Sequence, residues 1–313
     1  MKVVFMGTPD FAVSSLDAIV RAGHCVAGVV TVPDRTTGRG LKLTQSPVKR
    51  YALEHDLPLL QPEKLRDPEF LSALKAFNAD IFIVVAFRML PKCVWSMPTM
   101  GTFNLHASLL PQYRGAAPIN WAIINGEKET GVTTFLLNEH IDEGNILLQE
   151  TTPIAPDDNA GTLHDRLAAI GSRLVVETLD GLAEGTLQPR PQEEQASLRV
   201  APKLFKADCA IDWHQPGQHI VDFVRGLSPY PAATMTMLDG KGVEQSFKVF
   251  EVSFEPSPNT TVGLLITDRK TVQKIGVMDG FIHIASLQLS GKRRINTSEF
   301  LRGYDIRDWK VVV

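Results

Sequence analysis

Cysteine is scarce in this chain: 313 residues carry three, Cys25, Cys93 and Cys209, far apart and in no C-x-x-C spacing. That excludes a disulfide framework and reads as ordinary thiols in a reducing cytoplasm. Long apolar runs are missing too. A membrane-crossing helix needs about 20 consecutive apolar residues; the longest run here, IFIVVAF at 81–87, has the length of a buried strand. The opening MKVVFMGTPDF reaches a turn at residues 7–10, too early for a secretory signal, so neither a membrane nor export is expected. Neither sign of charge dominates: 32 Lys and Arg face 35 Asp and Glu, a net charge of −3. A polyanionic partner would therefore have to be met by local basic patches. Glycine fingerprints are absent as well. Gly7 stands alone after the first strand where a dinucleotide fold needs G-x-G-x-x-G, and no Walker A motif occurs. Hydride transfer with a nicotinamide cofactor drops out. No His or Cys spacing fits zinc, and the pair His140 and Asp142 is too weak a signal, so no metal is expected.

What is present is the makeup of a globular protein, 44% hydrophobic and 21% charged, long enough for about two domains. The first half alternates β-branched runs (2–6, 25–32, 79–86) with helical patterns (11–22, 47–54, 67–77), with Asp10 as a helix cap. Uninterrupted apolar strands separated by helices mean a parallel sheet covered on both faces. Ligands of such sheets bind beyond the carboxyl ends of the strands, which puts the loops at Gly7, Pro33, Phe87 and His106 on one edge. Helical 121–125, extended 131–137 and 146–154, and an amphipathic helix over 162–182 follow. The polar, Pro-containing stretch 188–205 reads as a linker between a first domain at 1–187 and a second at 206–313. In the second, helical pattern survives only around 218–225. Short strands at 233–238, 247–254, 262–266, 274–278 and 281–289 predict a small β-barrel, with the OB-like form one option.

Three constellations could carry chemistry. In TFNLHASLLPQYRG (102–115), alternation along a strand puts Asn104 and His106 on one face and Phe103 and Leu105 on the other. Taken alone, a buried His is a core residue with a satisfied partner. In the loop 138–144, Asp142 is by itself a turn carboxylate; if it meets His106, it would orient the ring and favour its charged form. An amide, an imidazole and a carboxylate with no Ser or Cys nucleophile suit the polarisation of a carbonyl while an external amine attacks. The stretch 32–50 sets Arg35, Arg39, Lys42, Lys49 and Arg50 against a single Asp34. With Gly38 and Gly40 it is long for a strand-to-helix connection; it is either a solvated loop or a grip for phosphates. A second basic cluster, Lys292, Arg293 and Arg294, is the weaker signal.

Together these segments resemble the methionyl-tRNA formyltransferase family: MGTPDFA (6–12), PDR…GRG (33–40) with SPVK (46–49), NLHASLLP (104–111), RGAAP (114–118), ETGVT (129–133), IDEG (141–144), then APKL (201–204), IDW (211–213) and RGLSPYP (225–231). The resemblance implies an α/β, Rossmann-like formyltransferase domain with a parallel-rich sheet, followed by a small OB-like β-barrel domain that holds tRNA. It implies transfer of formyl from 10-formyltetrahydrofolate, the co-substrate, to the amine of initiator methionyl-tRNA, in the cytoplasm and by a monomer. It implies Asn104, His106 and Asp142 as the catalytic three. Ser108, Leu109, Leu110 and Pro111 would line the folate site, with Phe87, Met89 and Leu90 near the pterin. Arg35, Arg39, Lys42 and Lys49, and the cluster Lys292, Arg293 and Arg294, would meet tRNA. The Asn-x-His and Ser-Leu-Leu-Pro elements are shared with formyltransferases acting on amino-sugar nucleotides, the alternative reading; the basic stretch distinguishes the two. The chain departs from the family at 86–91, where Phe87-Arg88 replaces the usual Tyr-Gly, and at 143–145, where Glu-Gly-Asn follows the Asp in place of Thr-Gly-Asp.

Overall fold

The computed structural model describes residues 1–37, 42–193 and 197–313, with Thr37 and Lys42 described by their backbone. The chain packs as two compact units. The first comprises Met1–Gly115, Glu129–Thr152 and His164–Val200; the second comprises Ala116–Lys128, Pro153–Leu163 and Ala201–Val313. Residues 188–205, read from sequence as a linker, are thus shared out: up to Val200 they belong to the first unit.

The first unit is built on a seven-stranded sheet. Its strands are β1 (Lys2–Gly7), β2 (Cys25–Val30), β5 (Leu59–Leu60), β6 (Ile81–Val85), β7 (Thr102–His106), β8 (Glu129–Leu136) and β9 (Ile146–Pro153), in the order β9-β8-β7-β6-β1-β2-β5. Strands β1, β2, β5, β6 and β7 run parallel, and β8 returns antiparallel to β7. β1 and β6 are buried almost throughout, as uninterrupted Val, Ile and Phe runs require. Helices α1 (Asp10–Arg21), α2 (Pro47–Glu54), α3 (Pro68–Ala76) and α4 (Lys92–Trp95) fill the connections. α1 presents Phe11, Leu16 and Ile19 inward at helical spacing. Asp10 does not cap it: Pro9 holds the cap position with no side-chain bond, and Asp10 instead places a carboxylate in the first turn. The turn before α1 needs Gly7, because a Cβ there would lie 2.7 Å from the Ala12 Cβ. α6 (Ala160–Ala183) covers the Phe103 and Leu105 side of β7, with Gly171 so close that a Cβ would meet Leu105 at 2.7 Å. The stretch expected as a loop between β2 and α2 carries a hairpin, β3 (Arg35–Thr37) against β4 (Lys42–Thr44).

The second unit is antiparallel and barrel-like. β10 (Ala233–Leu238), β11 (Glu244–Pro256), β12 (Leu265–Thr267), β13 (Gln273–Val277), β14 (Gly280–Leu289) and β16 (Lys310–Val311) stand in the order β12-β13-β14-β11-β10-β16, with β15 (Ile295–Asn296) paired to β14. The long β11 shifts register near Glu251, which lets one strand bend around the core. Trp213, Phe247, Ile282, Leu287 and Phe300 fill that core together with helix α7 (Gly217–Leu227). Helix α5 (Pro118–Ile124) belongs to this unit and sends Ile124 into the same core. A further helix, α8 (Thr297–Gly303), corrects the expectation of one helical stretch. The Asn296 side chain caps it by accepting the Glu299 N–H at 2.8 Å, and Phe300 and Leu301 are its buried face. Seven residues give a periodicity too short to register. No helix among the described residues is long and apolar enough to cross a membrane.

Candidate active site

β7 ends at the carboxyl edge of the sheet, and its pairing with β8 explains the alternation of TFNLH. Asn104 lies opposite Phe135 and His106 opposite Thr133, so these four side chains share one face. Phe103 and Leu105 face α6. His106 is 6% exposed. Its Nε2 lies 2.9 Å from the Tyr113 carbonyl, which only accepts, so Nε2 carries a proton. Nδ1 is therefore the nitrogen at which a proton can be exchanged. It faces Asp142, whose Oδ2 stands 4.0 Å away. The same oxygen accepts the Gly115 N–H at 2.9 Å. Asn104 is half-buried, and among the described residues its amide makes no side-chain hydrogen bond. A partly exposed amide with donors to spare, on the same strand face as the His106 ring, can donate to a visiting carbonyl.

The loop carrying Asp142 is held tightly. Asp142 sits at φ 55° and Tyr113 at φ 60°, both left-handed. The Leu136 N–H donates to the Asn145 carbonyl at 2.9 Å, closing the turn between β8 and β9. Gly144 has no room for a side chain: a Cβ would stand 1.6 Å from the Leu136 oxygen. The Glu-Gly-Asn departure after Asp142 thus keeps a glycine where backbone approaches backbone.

Ser108 to Pro111 form a braced turn next to His106. Thr133 Oγ1 donates to the Ser108 carbonyl at 2.7 Å and accepts from Leu110 N at 3.1 Å and Gln149 Nε2 at 3.0 Å. Gln149 Nε2 also reaches the Leu110 carbonyl at 2.9 Å, and Ser108 Oγ donates to Gln112 O at 2.6 Å. Sequence reasoning missed the parts of Thr133 and Gln149; Thr133 lies in the family-like segment ETGVT (129–133), but its face follows only from the pairing of β8 with β7. Phe87 is half-buried, Met89 is 74% exposed, and Leu90 packs within the core around Met6, Phe82 and Val84. Arg88, the departure from the family, spends its guanidinium on the Glu63 carbonyl (2.8 Å) and the Pro62 carbonyl. Burial, and then the neighbouring charge of Arg35, lowers its pKa from the usual guanidinium value.

The basic residues fare differently from one another. Arg35 is exposed on the β3–β4 hairpin; Arg39 and the side chain of Lys42 lie outside the described residues. Lys49 is only 14% exposed, with its Nζ 2.7 Å from Asp34 Oδ2. Gln61 Nε2 donates to the other Asp34 oxygen at 2.9 Å and to Val32 O at 2.8 Å. The Lys49 and then the Gln61 hydrogen bonds hold the Asp34 carboxyl below the usual range. In the second unit Arg293 pairs with Glu299. Arg294 bonds Ser286 at 2.8 Å and Glu251 at 2.5 Å, stacking 4.5 Å from the Phe250 ring centre. Lys292 is exposed. Among the described residues no group of three His, Cys, Asp or Glu could hold a metal ion.

Comparison with known proteins sharpens this picture. Residues 1–179 match the formyl transferase family model and residues 203–305 the formyl transferase C-terminal domain. A methionyl-tRNA formyltransferase of Bacteroides fragilis is 54% identical over 312 residues, covering 98% of this chain and 96% of that protein. One of Flavobacterium johnsoniae is 50% identical over 309 residues, covering 98% of each. Among solved structures, the sugar 3N-formyl transferase WlaRD aligns over 94% of this chain and 99% of its own, with a TM-score of 0.63 and 19% identity. HypX from Aquifex aeolicus aligns over all of this chain and 51% of its own, also with a TM-score of 0.63 and 19% identity. At such identities the two structures speak for the fold alone, whereas the match to the curated relatives runs from end to end. The chain belongs to the methionyl-tRNA formyltransferase family.

Proposed function

We infer that this protein transfers the formyl group of 10-formyltetrahydrofolate to the amine of methionyl initiator tRNA. The observation that carries the reading is the unspent Asn104 amide beside His106, with Asp142 Oδ2 4.0 Å from Nδ1 at the carboxyl end of β7. The full-length relatives named methionyl-tRNA formyltransferase support the acceptor. WlaRD was crystallised with 5-N-formyl-THF and HypX with tetrahydrofolic acid, which supports a folate donor.

In this reading the methionyl amine attacks the formyl carbon. The Asn104 amide and the Nδ1–H of protonated His106 donate to the formyl oxygen as it gains charge, the arrangement that stabilises oxyanions. Asp142 orients the ring and takes the proton that the amine sheds. The bond from the formyl carbon to N10 then breaks, and N10 leaves carrying that proton. The Ser108–Pro111 turn, braced by Thr133 and Gln149, lines the folate pocket, and the backbone of 87–90 meets the pterin. Arg35, Arg39 and Lys42 contact the acceptor end of the tRNA, with Lys49 setting the base of their arm through Asp34. The antiparallel unit, with Lys292, Arg293 and Arg294, contacts the tRNA body.

Radiolabelled 10-formyltetrahydrofolate offered with methionyl initiator tRNA, methionyl elongator tRNA and an amino-sugar nucleotide tests the reading. Label on the initiator tRNA alone is the expected result. Label on the sugar nucleotide alone would keep the chemistry and overturn the acceptor.

A further inference from the structure

Gln192 comes from the polar stretch that reads as a linker, and its carboxamide uses its full hydrogen-bonding capacity on one place. Nε2 donates to the Asp142 carbonyl at 2.8 Å and the Gly144 carbonyl at 2.9 Å. Oε1 accepts from Arg114 Nε at 3.1 Å and Nη2 at 2.7 Å. Two donors and two acceptor positions are all that an amide has. Arg114 extends the clamp, its Nη1 donating to Glu143 Oε1 at 3.0 Å, and the next residue, Gly115, donates its N–H to Asp142 Oδ2 at 2.9 Å. Three consecutive residues, 142 to 144, are thus gripped by one pair of side chains and one backbone N–H. The first residue of this grip, Asp142, is a non-glycine residue at φ 55°, a conformation that costs free energy and persists where its surroundings over-determine it.

We propose that Gln192 is a positioning residue for formyl transfer: it locks the backbone of 142–144 so that the Asp142 carboxylate stays opposite His106 Nδ1. This rests on the role given to Asp142 above. Glutamate cannot replace it, although it has the same shape and keeps the bonds from Arg114. A carboxylate would turn an acceptor toward the Asp142 and Gly144 carbonyls, which need donors. The 142–144 turn is then free to relax, and small displacements of a reacting group are costly in rate.

The test measures kcat, both KM values and the melting temperature for the wild type, Gln192→Glu and Gln192→Ala. A displacement of about 1 Å at a reacting group can cost on the order of 10²-fold in rate, and a loss of up to that order is expected in kcat for both variants. Both KM values should stay within about 2-fold, because the loss falls on the transition state and not on ground-state binding. Melting temperatures should stay within about 2 °C, a shift worth about 1 kcal/mol at this size. Should Gln192→Ala unfold, Gln192→Glu carries the test through its retained Arg114 bonds. Wild-type kcat in Gln192→Glu overturns the proposal. So does a loss that appears equally in KM and melting temperature, which would mark general packing. A wild-type protein that transfers no formyl to any acceptor would sink the activity itself, and with it this role.

Discussion

The carboxyl edge of the parallel sheet and the basic cluster of the antiparallel unit both gather polar side chains, and they use them in opposite ways. At the sheet edge His106 and Asp142 are nearly buried, braced by backbone groups, and stop short of each other at 4.0 Å, while Asn104 has no side-chain partner among the described residues. In the cluster, Arg293 and Arg294 are matched to Glu299 and Glu251, and Arg294 also lies on Phe250. The first arrangement leaves capacity for a ligand. In the second, a phosphate would compete with Glu299 and Glu251 for Arg293 and Arg294, while the exposed Lys292 is met directly. Polar groups held but not consumed mark chemistry, whereas counting charges along the chain does not.

Substitutions can break or sharpen that contrast. The largest effect belongs to His106→Ala, which removes the exchangeable nitrogen. Formyl transfer should fall on the order of 10²- to 10³-fold, the cost of removing one oxyanion donor. Next is Gly144→Ala, whose Cβ would stand 1.6 Å from the Leu136 oxygen. Overpacking of this kind costs about 1–3 kcal/mol, and denaturant titration should report it together with a fall in kcat as the Asp142 turn shifts. A smaller effect is expected in the cluster. Lys292→Ala should reduce the slope of log affinity for tRNA against log salt by about 1, as for one phosphate contact. Arg293→Ala removes an exposed ion pair and should change stability by less than about 1 kcal/mol. If Lys292→Ala left the salt slope unchanged, the cluster would be a solvated face and nothing more.

The smallest effect is a pH dependence at Asp34. Its folded-state pKa is lowered by the Lys49 and Gln61 hydrogen bonds, so its contribution is present above the ordinary carboxylate pKa near 4 and is lost as pH falls through the lowered value. Melts of the wild type and Asp34→Asn should therefore differ most above about pH 5 and converge toward pH 3. A constant difference across that range would show that the carboxylate does not titrate with folding.

The contrast also explains what was legible in the sequence. β1, β2 and β6 announced themselves because uninterrupted apolar runs separated by helical patterns point to a sheet covered on both sides. Asn104 and His106 stood out because a period of two put both on the same face. Asp142 could be found only conditionally, since its meeting with His106 depends on the return of β8 against β7. Gln192 was not legible at all: in a polar, Pro-containing stretch nothing separates an amide that holds a turn from one facing water. Lys49 misled in the other direction, counting as one more free charge until Asp34, 15 positions earlier, proved to be its partner. Helix α8 was too short for its period to show, and the strands Arg35–Thr37 and Lys42–Thr44 are three residues each, too short to stand out from a loop in sequence.

The most direct test of the central claim is a single-turnover comparison of the wild type with Asn104→Ala, using 10-formyltetrahydrofolate and methionyl initiator tRNA, with folate binding measured on both. Folate binding should stay within about 2-fold of wild type while the transfer rate falls on the order of 10²- to 10³-fold, the cost of removing one oxyanion donor. A variant that binds folate normally and transfers formyl at the wild-type rate would contradict that role for Asn104.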